Sequence, residues 1–294
     1  MNLDFEGITD LVDCKKRKRL LISGQADPVA ITVVLEARDR GWVEPIYCGN
    51  SFTGAIGEMG HLFPSSGVEG ARLKALGMME NRKAEFLLDT GPINKEFFSL
   101  LTEGDICVTG SNILSYVSIM RVPKDSRLTL LTDTLINGVP GIKEKIGIAQ
   151  NAIQVANALG INQPKIAAIT PLELVNPVLQ STLDAAILSK MSDRGQFGNA
   201  VIEGPLGMDN AESASAARHK GINSPVPGDV DIYLFPDLES ANIIAQFLAW
   251  LGRSQFGGVL IGTSFPVIVR SPLESPESLL INLALALLLG RNDP

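Results

Sequence analysis

Short apolar runs of strand length alternate with longer helical segments along most of this chain, and this order constrains the fold more than any other feature. The first cycle reads RLLISG, DPVAITVVLEARDRG and VEPIYCG, starting at Arg19. The middle segment predicts a helix, because Asp27 and Pro28 suit an N-cap and a first turn and Gly41 suits the end. A strand, a helix and a second strand form a βαβ unit, which favours a parallel sheet.

The same alternation continues through the rest of the chain. Further apolar runs predict buried strands: DICVTG (105–110), RLTLLTD (127–133), KIAAIT (165–170), NAVIEG (199–204), DIYLFPD (231–237) and GVLIGTS (258–264). Between them, KEKIGIAQNAIQVANALG and ESANIIAQFLAWLG predict helices. We therefore predict an α/β fold with mainly parallel sheets covered by helices. A turn predicted around residues 256–258 marks one candidate domain boundary.

Composition and charge narrow the classes of function. The chain has 294 residues, is 45% hydrophobic and carries a net charge of -7, which leaves no basic surface for nucleic acid or an anionic membrane. Cys14, Cys48 and Cys107 lack metal-ligand spacing, and the N-terminus lacks the order of a signal peptide, which predicts a cytoplasmic protein without a metal site. The apolar stretch 278–290 is short for a membrane span and predicts a buried or interface helix.

Familiar catalytic and nucleotide-binding motifs do not occur in the sequence. GxGxxG after the first strand, GxxxxGK[ST] and GxSxG are all missing, and His61 and His219 have no evident serine or cysteine partner. In open α/β sheets, ligands bind at the carboxyl ends of strands, where glycines and small polar residues can hold a phosphate or an oxyanion. The predicted strand ends include Thr109–Gly110–Ser111 and Gly204–Pro205. These loops predict a small-molecule site.

Longer segments resemble a known family. They are AQNAIQVANALGI, the stretch from PVLQSTLDAAILSKMSDRGQFGNAVIEGPLGMDNA to VDIYLFPDLESANI, SPLESPESLLINLALA, and GSNILSYVSIMRVPKDSRLTLLTDTLIN. Together they resemble the phosphate acetyl/butyryl transferases, and most of all the phosphate butyryltransferase branch. The likeness covers most of residues 84–290, whereas residues 1–83 show only the general βαβ pattern.

The resemblance implies a fold and an activity. It implies two α/β domains, 1–115 plus 257–294 and 116–256, with an interdomain cleft of isocitrate/isopropylmalate dehydrogenase-like architecture, in a homodimer. The family moves an acyl group between coenzyme A and inorganic phosphate, with coenzyme A as a substrate and no bound cofactor or metal. A dehydrogenase of the same architecture is disfavoured, because neither a metal-binding aspartate cluster nor a nicotinamide motif is visible in the sequence.

Several positions depart from the family pattern. The replacements are Thr90 for a lysine, Val108 for an arginine, Tyr116 for a histidine, Pro272 for the arginine of a Ser-Arg pair, and Ser278 for the aspartate of acetyltransferase members. Two cations are candidates to compensate. Arg270 lies two positions before Pro272, and residues two apart on an extended segment share a face at about 6.6 Å. Lys95 lies at a predicted helix N-terminus, where phosphate is favoured.

The predicted site therefore has a catalytic and a binding part. Ser271 is placed near the coenzyme A sulfur, with Arg270 beside it as a catalytic residue. The predicted substrate and phosphate contacts are Lys95, Thr109, Gly110, Ser111, Gly204, Pro205, Asp209, Asn210, Ser224 and Asn242. Surface cations, helix caps and turns are the structural alternatives for these residues.

Two hypotheses about function remain open. In the first, the chain transfers a short or branched acyl group between coenzyme A and phosphate. In the second, it keeps the family fold and binds coenzyme A or a small acidic metabolite without acyl transfer. The missing cations favour this second hypothesis, and the complete loops at 204–226 count against it.

Overall fold

A computed structural model describes residues 5–12, 16–49, 57, 61–102, 113–121, 127–252, 254–271 and 274–290. The chain forms two compact units. The terminal unit contains the described residues of Phe5–Leu114 and Gly257–Pro294, and the central unit contains those of Ser115–Phe256. Each unit has its own strands and its own covering helices, as an α/β fold requires.

The terminal unit is built around parallel strands. Its helices are α1 (Phe5–Asp10), α2 (Pro28–Asp39), α3 (Gly67–Glu80), α4 (Lys95–Thr102) and α10 (Pro276–Leu289). Its strands are β1 (Lys18–Ser23), β2 (Val43–Gly49), β3 (His61–Pro64), β4 (Phe86–Asp89), β10 (Gln255–Ile261) and β11 (Val267–Val269). They follow the order β3-β2-β1-β4-β11-β10, in which β10 pairs antiparallel with β11 and the other pairs are parallel.

Two helices of this unit show how the sequence sets the local structure. Helix α2 begins where Asp27 accepts hydrogen bonds from the backbone N–H groups of Val29 and Ala30, at 2.8 and 3.1 Å, and Pro28 occupies its first turn. Helix α10 is apolar on every face and is buried from Ser278 to Leu289, which confirms the predicted buried helix. Among the described residues, no helix is both long enough and apolar enough to cross a membrane.

The central unit repeats the same architecture. Its helices are α5 (Ile142–Ala158), α6 (Gln180–Asp193), α7 (Met208–Glu212), α8 (Ala214–His219) and α9 (Leu238–Trp250). Its strands are β5 (Ser115–Arg121), β6 (Leu128–Thr132), β7 (Lys165–Ile169), β8 (Val201–Leu206) and β9 (Ile232–Leu234). The order is β5-β6-β9-β7-β8, parallel except for β5 against β6.

The structure confirms the α/β fold with mainly parallel sheets and corrects two details. The turn predicted at 256–258 is wrong, because β10 runs through it. Gly204 and Pro205 do not form a turn either, since both lie inside β8, which continues to Leu206. Strand β8 is at the edge of its sheet, where a residue without an N–H is tolerated. The strand predicted at 105–110 lies outside the described residues.

The packing around Gly204 gives a stability prediction. A Cβ atom at Gly204 would lie 2.7 Å from the Cβ of Ala168 and 3.1 Å from the Cβ of Ala185. Gly204→Ala should therefore lower the free energy of unfolding by about 1–3 kcal/mol, measured by urea denaturation. Gly77→Ala is the matched control, because a Cβ there meets nothing within 4 Å. It should raise stability by up to about 1 kcal/mol, and equal effects in the two variants would contradict the packing argument.

Candidate functional site

Three neighbouring parallel strands of the terminal unit end at one edge of the sheet. Strand β1 ends at Ser23, β4 at Asp89 and β11 at Val269, just before Arg270. The Ser23 hydroxyl donates to Asp89 Oδ2 at 2.7 Å, and the Arg270 backbone N–H donates to the Asp89 carbonyl at 2.9 Å. This carboxyl edge, defined by Ser23, Asp89 and Arg270, is the position at which open α/β sheets bind ligands.

A buried ion pair organises this edge. Arg72 of α3 donates to both oxygens of Asp89, from Nη2 at 2.7 Å and from Nε at 3.1 Å. Its remaining donors contact Glu69 Oε1 at 2.9 Å and the Pro92 carbonyl at 2.7 Å, and its guanidinium stacks 4.4 Å from the ring centre of Phe97. Each nitrogen of Arg72 thus has a partner, which assigns this arginine a structural role.

Arg270 is also buried, but its guanidinium has different surroundings. Only 5% of the residue is exposed. Its Nε lies 3.3 Å from Asp27 Oδ2, and its Nη1 lies 3.7 Å from Glu274 Oε2. Both are ion-pair distances without hydrogen-bond alignment, so Nε and Nη1 are buried without a hydrogen-bond partner among the described residues. Buried donors of this kind are costly, and a bound anion would satisfy them.

Glu274 lies between Arg270 and helix α10. Its Oε2 accepts a hydrogen bond from the backbone N–H of Ser271 at 3.1 Å, and its Oε1 accepts one from Asn282 Nδ2 at 3.0 Å. The Asn282 side-chain oxygen accepts from the Gly258 N–H at 2.7 Å. Burial raises the pKa of the Glu274 carboxyl from 4.5 to about 7, although the Ser271 N–H and Asn282 act in the opposite direction.

The other residues predicted on this side are Thr90 and Lys95. Thr90, where the family pattern has a lysine, is buried, and its Oγ1 lies 2.8 Å from the Ser23 carbonyl and 2.7 Å from the Gln25 carbonyl. Lys95 is the first residue of α4, as predicted, and is exposed in an open groove of about 390 Å³. Glu69 and Glu96 also line this groove. Their negative charge makes the groove less favourable for an anion than the position of Lys95 at a helix N-terminus predicted.

In the central unit, a buried carboxylate shapes the loop after β6. Asp133 accepts hydrogen bonds from the backbone N–H groups of Tyr116, Leu135 and Ile136 at 3.1, 2.9 and 3.2 Å. Burial raises the pKa of the Asp133 carboxyl, and these N–H groups act in the opposite direction. The predicted contact residue Asn242 donates to the Thr134 carbonyl at 3.0 Å, which ties the same loop to α9.

The remaining predicted residues of the central unit lie on or near α7. Lys220 bridges Asp209 at 3.1 Å and Glu173 at 3.0 Å, and its hydrogen bond lowers the pKa of the Asp209 carboxyl. Asn210 is fully buried, with Nδ2 3.5 Å from Glu173 and Oδ1 without a hydrogen-bond partner among the described residues. Ser224 accepts from the Val226 N–H at 3.3 Å, which forms a local turn.

The predicted site residues are divided between the two units. Arg270 and Ser271 adjoin one another at the carboxyl edge, and Lys95 follows the neighbouring strand. The residues predicted in the central unit are Gly204, Pro205, Asp209, Asn210, Ser224 and Asn242. Thr109, Gly110 and Ser111 lie outside the described residues, as do Val108 and Pro272. No cluster of histidine, cysteine or carboxylate side chains suited to a metal occurs in the described part of the chain.

Sequence reasoning missed Arg72, Asp89, Glu274 and Asn282. Two signals were available for them. Asp89 follows the apolar run FLL and precedes Thr90 and Gly91, which is the pattern of a strand end. Asn282 is a lone amide in an apolar helix, and such a buried amide needs a polar partner, here Glu274.

Comparison with known proteins shows the family. The family described as phosphate acetyl/butaryl transferase matches residues 73–287. The chain is 35% identical over 296 residues to a phosphate butyryltransferase of Clostridium acetobutylicum, covering 98% of each protein. The chain belongs to the phosphate acetyl/butyryl transferase family.

Two further family members agree with this assignment. The chain is 40% identical over 223 residues to a phosphate butyryltransferase of Clostridium beijerinckii, covering 76% of this chain and 74% of that one. A crystal structure of a branched-chain phosphotransacylase from Enterococcus faecalis superposes with a TM-score of 0.80 at 26% identity, over 94% of this chain and 100% of that one. The sequence comparison and the structural comparison thus both agree with the family assignment.

The raised pKa of Glu274 gives a prediction about stability and pH. An unfolded glutamate titrates near 4.5 and the folded one near 7. The contribution of Glu274 to stability is therefore present in full below pH 4.5 and is lost as the pH rises through about 7. Glu274→Gln should match the wild type near pH 4.5 and exceed its free energy of unfolding at pH 8 by on the order of 3 kcal/mol.

Urea denaturation at a series of pH values measures this difference. Glu277→Gln is the control, because Glu277 is an exposed carboxylate in the first turn of the same helix. A backbone N–H lowers the pKa of Glu277, so its own titration falls at the acid end of the range, and above about pH 5 Glu277→Gln should follow the pH dependence of the wild type. A difference between Glu274→Gln and the wild type that stays constant from pH 4.5 to 8 would contradict the raised pKa.

Proposed function

We propose that this chain transfers a short or branched acyl group between coenzyme A and inorganic phosphate. The observation that carries the proposal is the match to a phosphate butyryltransferase over nearly the whole length of both proteins. Acyl-CoA and phosphate are the proposed partners, coenzyme A enters as a substrate, and we propose no resident cofactor or metal. We also propose that the terminal and central units are the two domains of the family fold.

The proposed reaction assigns roles to Arg270, Ser271 and Lys95. A phosphate oxygen attacks the thioester carbonyl carbon, the C–O bond forms, and the C–S bond breaks to release the coenzyme A thiolate. The guanidinium of Arg270 holds the phosphate through its unpartnered Nε and Nη1 groups. Ser271 lies next to the departing sulfur, and Lys95 adds positive charge at the start of α4. The guanidinium and N–H donors at Arg270 stabilise the charge that develops on the carbonyl oxygen, whereas Lys95 contributes to phosphate binding.

We keep the residues predicted in the central unit as proposed substrate contacts. Asn210 is the strongest of them, because its buried Oδ1 has no hydrogen-bond partner among the described residues and can accept from a ligand. Asp209, Ser224 and Asn242 already bind neighbouring groups, so their proposed role is to shape the loops. Gly204 and Pro205 position β8, and Thr109, Gly110 and Ser111 remain proposed phosphate contacts.

Phosphate-dependent release of free thiol from butyryl-, isobutyryl- and acetyl-CoA tests the function. The wild type should release thiol from at least one of them. Arg270→Lys keeps the charge but loses the planar fork, and it should lower kcat/KM for phosphate by about 10²–10³. Lys95→Ala should raise the KM for phosphate by about tenfold at unchanged kcat, as expected when ground-state binding is lost.

Controls separate the parts of this proposal. Lys190→Ala removes an exposed lysine paired with Asp193 and should leave the kinetics unchanged. Melting temperatures show whether Arg270→Lys is folded. If none of the three acyl-CoA substrates releases thiol, acyl transfer is contradicted. The result would then favour the alternative, in which the chain binds coenzyme A or an acidic metabolite without acyl transfer. If Arg270→Lys retains full kcat/KM, only the role of Arg270 is contradicted.

We also propose a cytoplasmic homodimer, in which α9 contacts a second copy. Ile243, Phe247, Trp250 and Leu251 form an exposed apolar face on this helix, with fractional exposures of 65%, 56%, 80% and 69%. Successive members of this set are four, three and one positions apart, which places them along one side of the helix. The face carries no charged residue, so pairing it with itself across a two-fold axis brings no like charges together.

Sedimentation equilibrium tests the dimer. The wild type should sediment at about twice its monomer mass, and Phe247→Glu should raise the dimer dissociation constant by at least about tenfold. Leu73→Glu is the matched control, since Leu73 is an exposed leucine on α3 of the terminal unit. A monomeric wild type, or a Phe247→Glu variant as dimeric as Leu73→Glu, would contradict the α9 contact.

A further inference from the structure

The guanidinium of Arg270 is surrounded by more negative than positive charge. Asp27 approaches Nε at 3.3 Å from the start of α2, and Glu274 approaches Nη1 at 3.7 Å from the segment before α10. The Arg72 guanidinium does not offset this charge, because it is bound to Asp89. With both carboxylates ionised, a phosphate arriving at Arg270 therefore meets a net negative site.

The two carboxylates differ in their burial and in their hydrogen-bond donors. Asp27 Oδ1 accepts hydrogen bonds from two backbone N–H groups at the N-terminus of α2, and 23% of the Asp27 side chain is exposed. Glu274 is 5% exposed and has only the Ser271 N–H and the Asn282 amide as hydrogen-bond donors. Arg270 and Asp27 are the charged groups that face it, one from the end of β11 and one from α2. Asn282, from α10, is neutral.

We infer that Glu274 is a positioning residue that takes up a proton when an anion binds to Arg270. The inference rests on the proposed role of Arg270 in holding phosphate. The proton comes from the solvent and forms an O–H bond on the Glu274 carboxyl, which breaks no other covalent bond. Neutral Glu274 no longer attracts Nη1 as an anion, so the Nη1 group of Arg270, which has no hydrogen-bond partner among the described residues, can donate to the bound anion.

The coupling has a defined sign. Burial already holds the pKa of Glu274 near 7, and a bound anion raises this pKa further because it brings a like charge. Between the two pKa values the free protein binds fewer protons than the complex, so anion affinity falls as the pH rises. The limit is about tenfold in affinity for each pH unit when one proton is taken up.

Calorimetric titration of the full-length protein with sulfate tests the inference. Sulfate stays a dianion through the neutral range, so its own protonation does not contribute. The wild-type dissociation constant should rise about tenfold between pH 6.5 and 8.5, and that of Glu274→Gln by less than about twofold. Glu277→Gln, which removes an equal charge from an exposed position, should behave as the wild type.

A second measurement does not depend on any variant. Titration of the wild type at pH 7.5 in two buffers of different ionisation enthalpy counts the protons taken up with sulfate, and between about 0.3 and 1 is expected. Glu274→Asp provides a second variant if Glu274→Gln does not fold. Equal pH slopes for the wild type and Glu274→Gln, or sulfate binding without proton uptake, would overturn the inference.

The outcomes also separate this inference from the proposed function. Thiol release in the assay without proton-linked sulfate binding overturns the inference alone. Proton-linked sulfate binding without thiol release supports the inference and overturns acyl transfer. Sulfate that does not bind to the wild type overturns both the anion site at Arg270 and the inference.

Discussion

The carboxylate of Asp89 is the interaction on which the carboxyl edge of the terminal unit depends. It is 1% exposed, and its two oxygens accept from Arg72 twice, from the Ser23 hydroxyl and from the Gly91 N–H. One side chain thereby joins β1, β4 and α3. Removal of one partner from such a buried pair typically costs about 3–5 kcal/mol, because the other charge stays buried. The positions of the strand ends follow from this pair.

Arg72 and Arg270 lie near the same edge, yet their hydrogen bonding divides their roles. Arg72 has a carboxylate or carbonyl partner for each nitrogen, so an incoming anion would have to displace native contacts. Arg270 has two buried nitrogens without hydrogen-bond partners among the described residues, and its flanking carboxylates are misaligned or titratable. Binding to Arg270 therefore satisfies donors that folding leaves unsatisfied, which favours it over Arg72 as an anion site.

The sequence predicted some elements and missed others, and length alone does not separate the two groups: helices α3 and α6 and strand β5 were missed, whereas strand β9 was predicted. Helix α2 was predictable from Asp27, Pro28 and Gly41, because capping residues act locally. Strands β4 and β11 have four and three residues and were not predicted, whereas β9, also of three residues, was predicted from the longer run DIYLFPD. Short runs carry little periodicity, so the flanking residues decide whether a strand is recognised. Asp89 was missed with β4. The pairing of Glu274 with Asn282, eight positions apart, depends on how α10 begins, and residue types alone do not encode that.

The proposed anion site depends on Arg270 because Thr90 takes the position at which the family resemblance implies a lysine. Thr90 packs against the Ser23 and Gln25 carbonyls and closes the loop after β1, so this position provides no cation. Lys95 provides one, but Glu69 and Glu96 line the same groove. In the proposed site the phosphate charge would then fall mainly on Arg270, which lies between Asp27 and Glu274. Burial favours the neutral form of Glu274, and protonation of Glu274 would reduce the negative charge that a dianion at Arg270 meets.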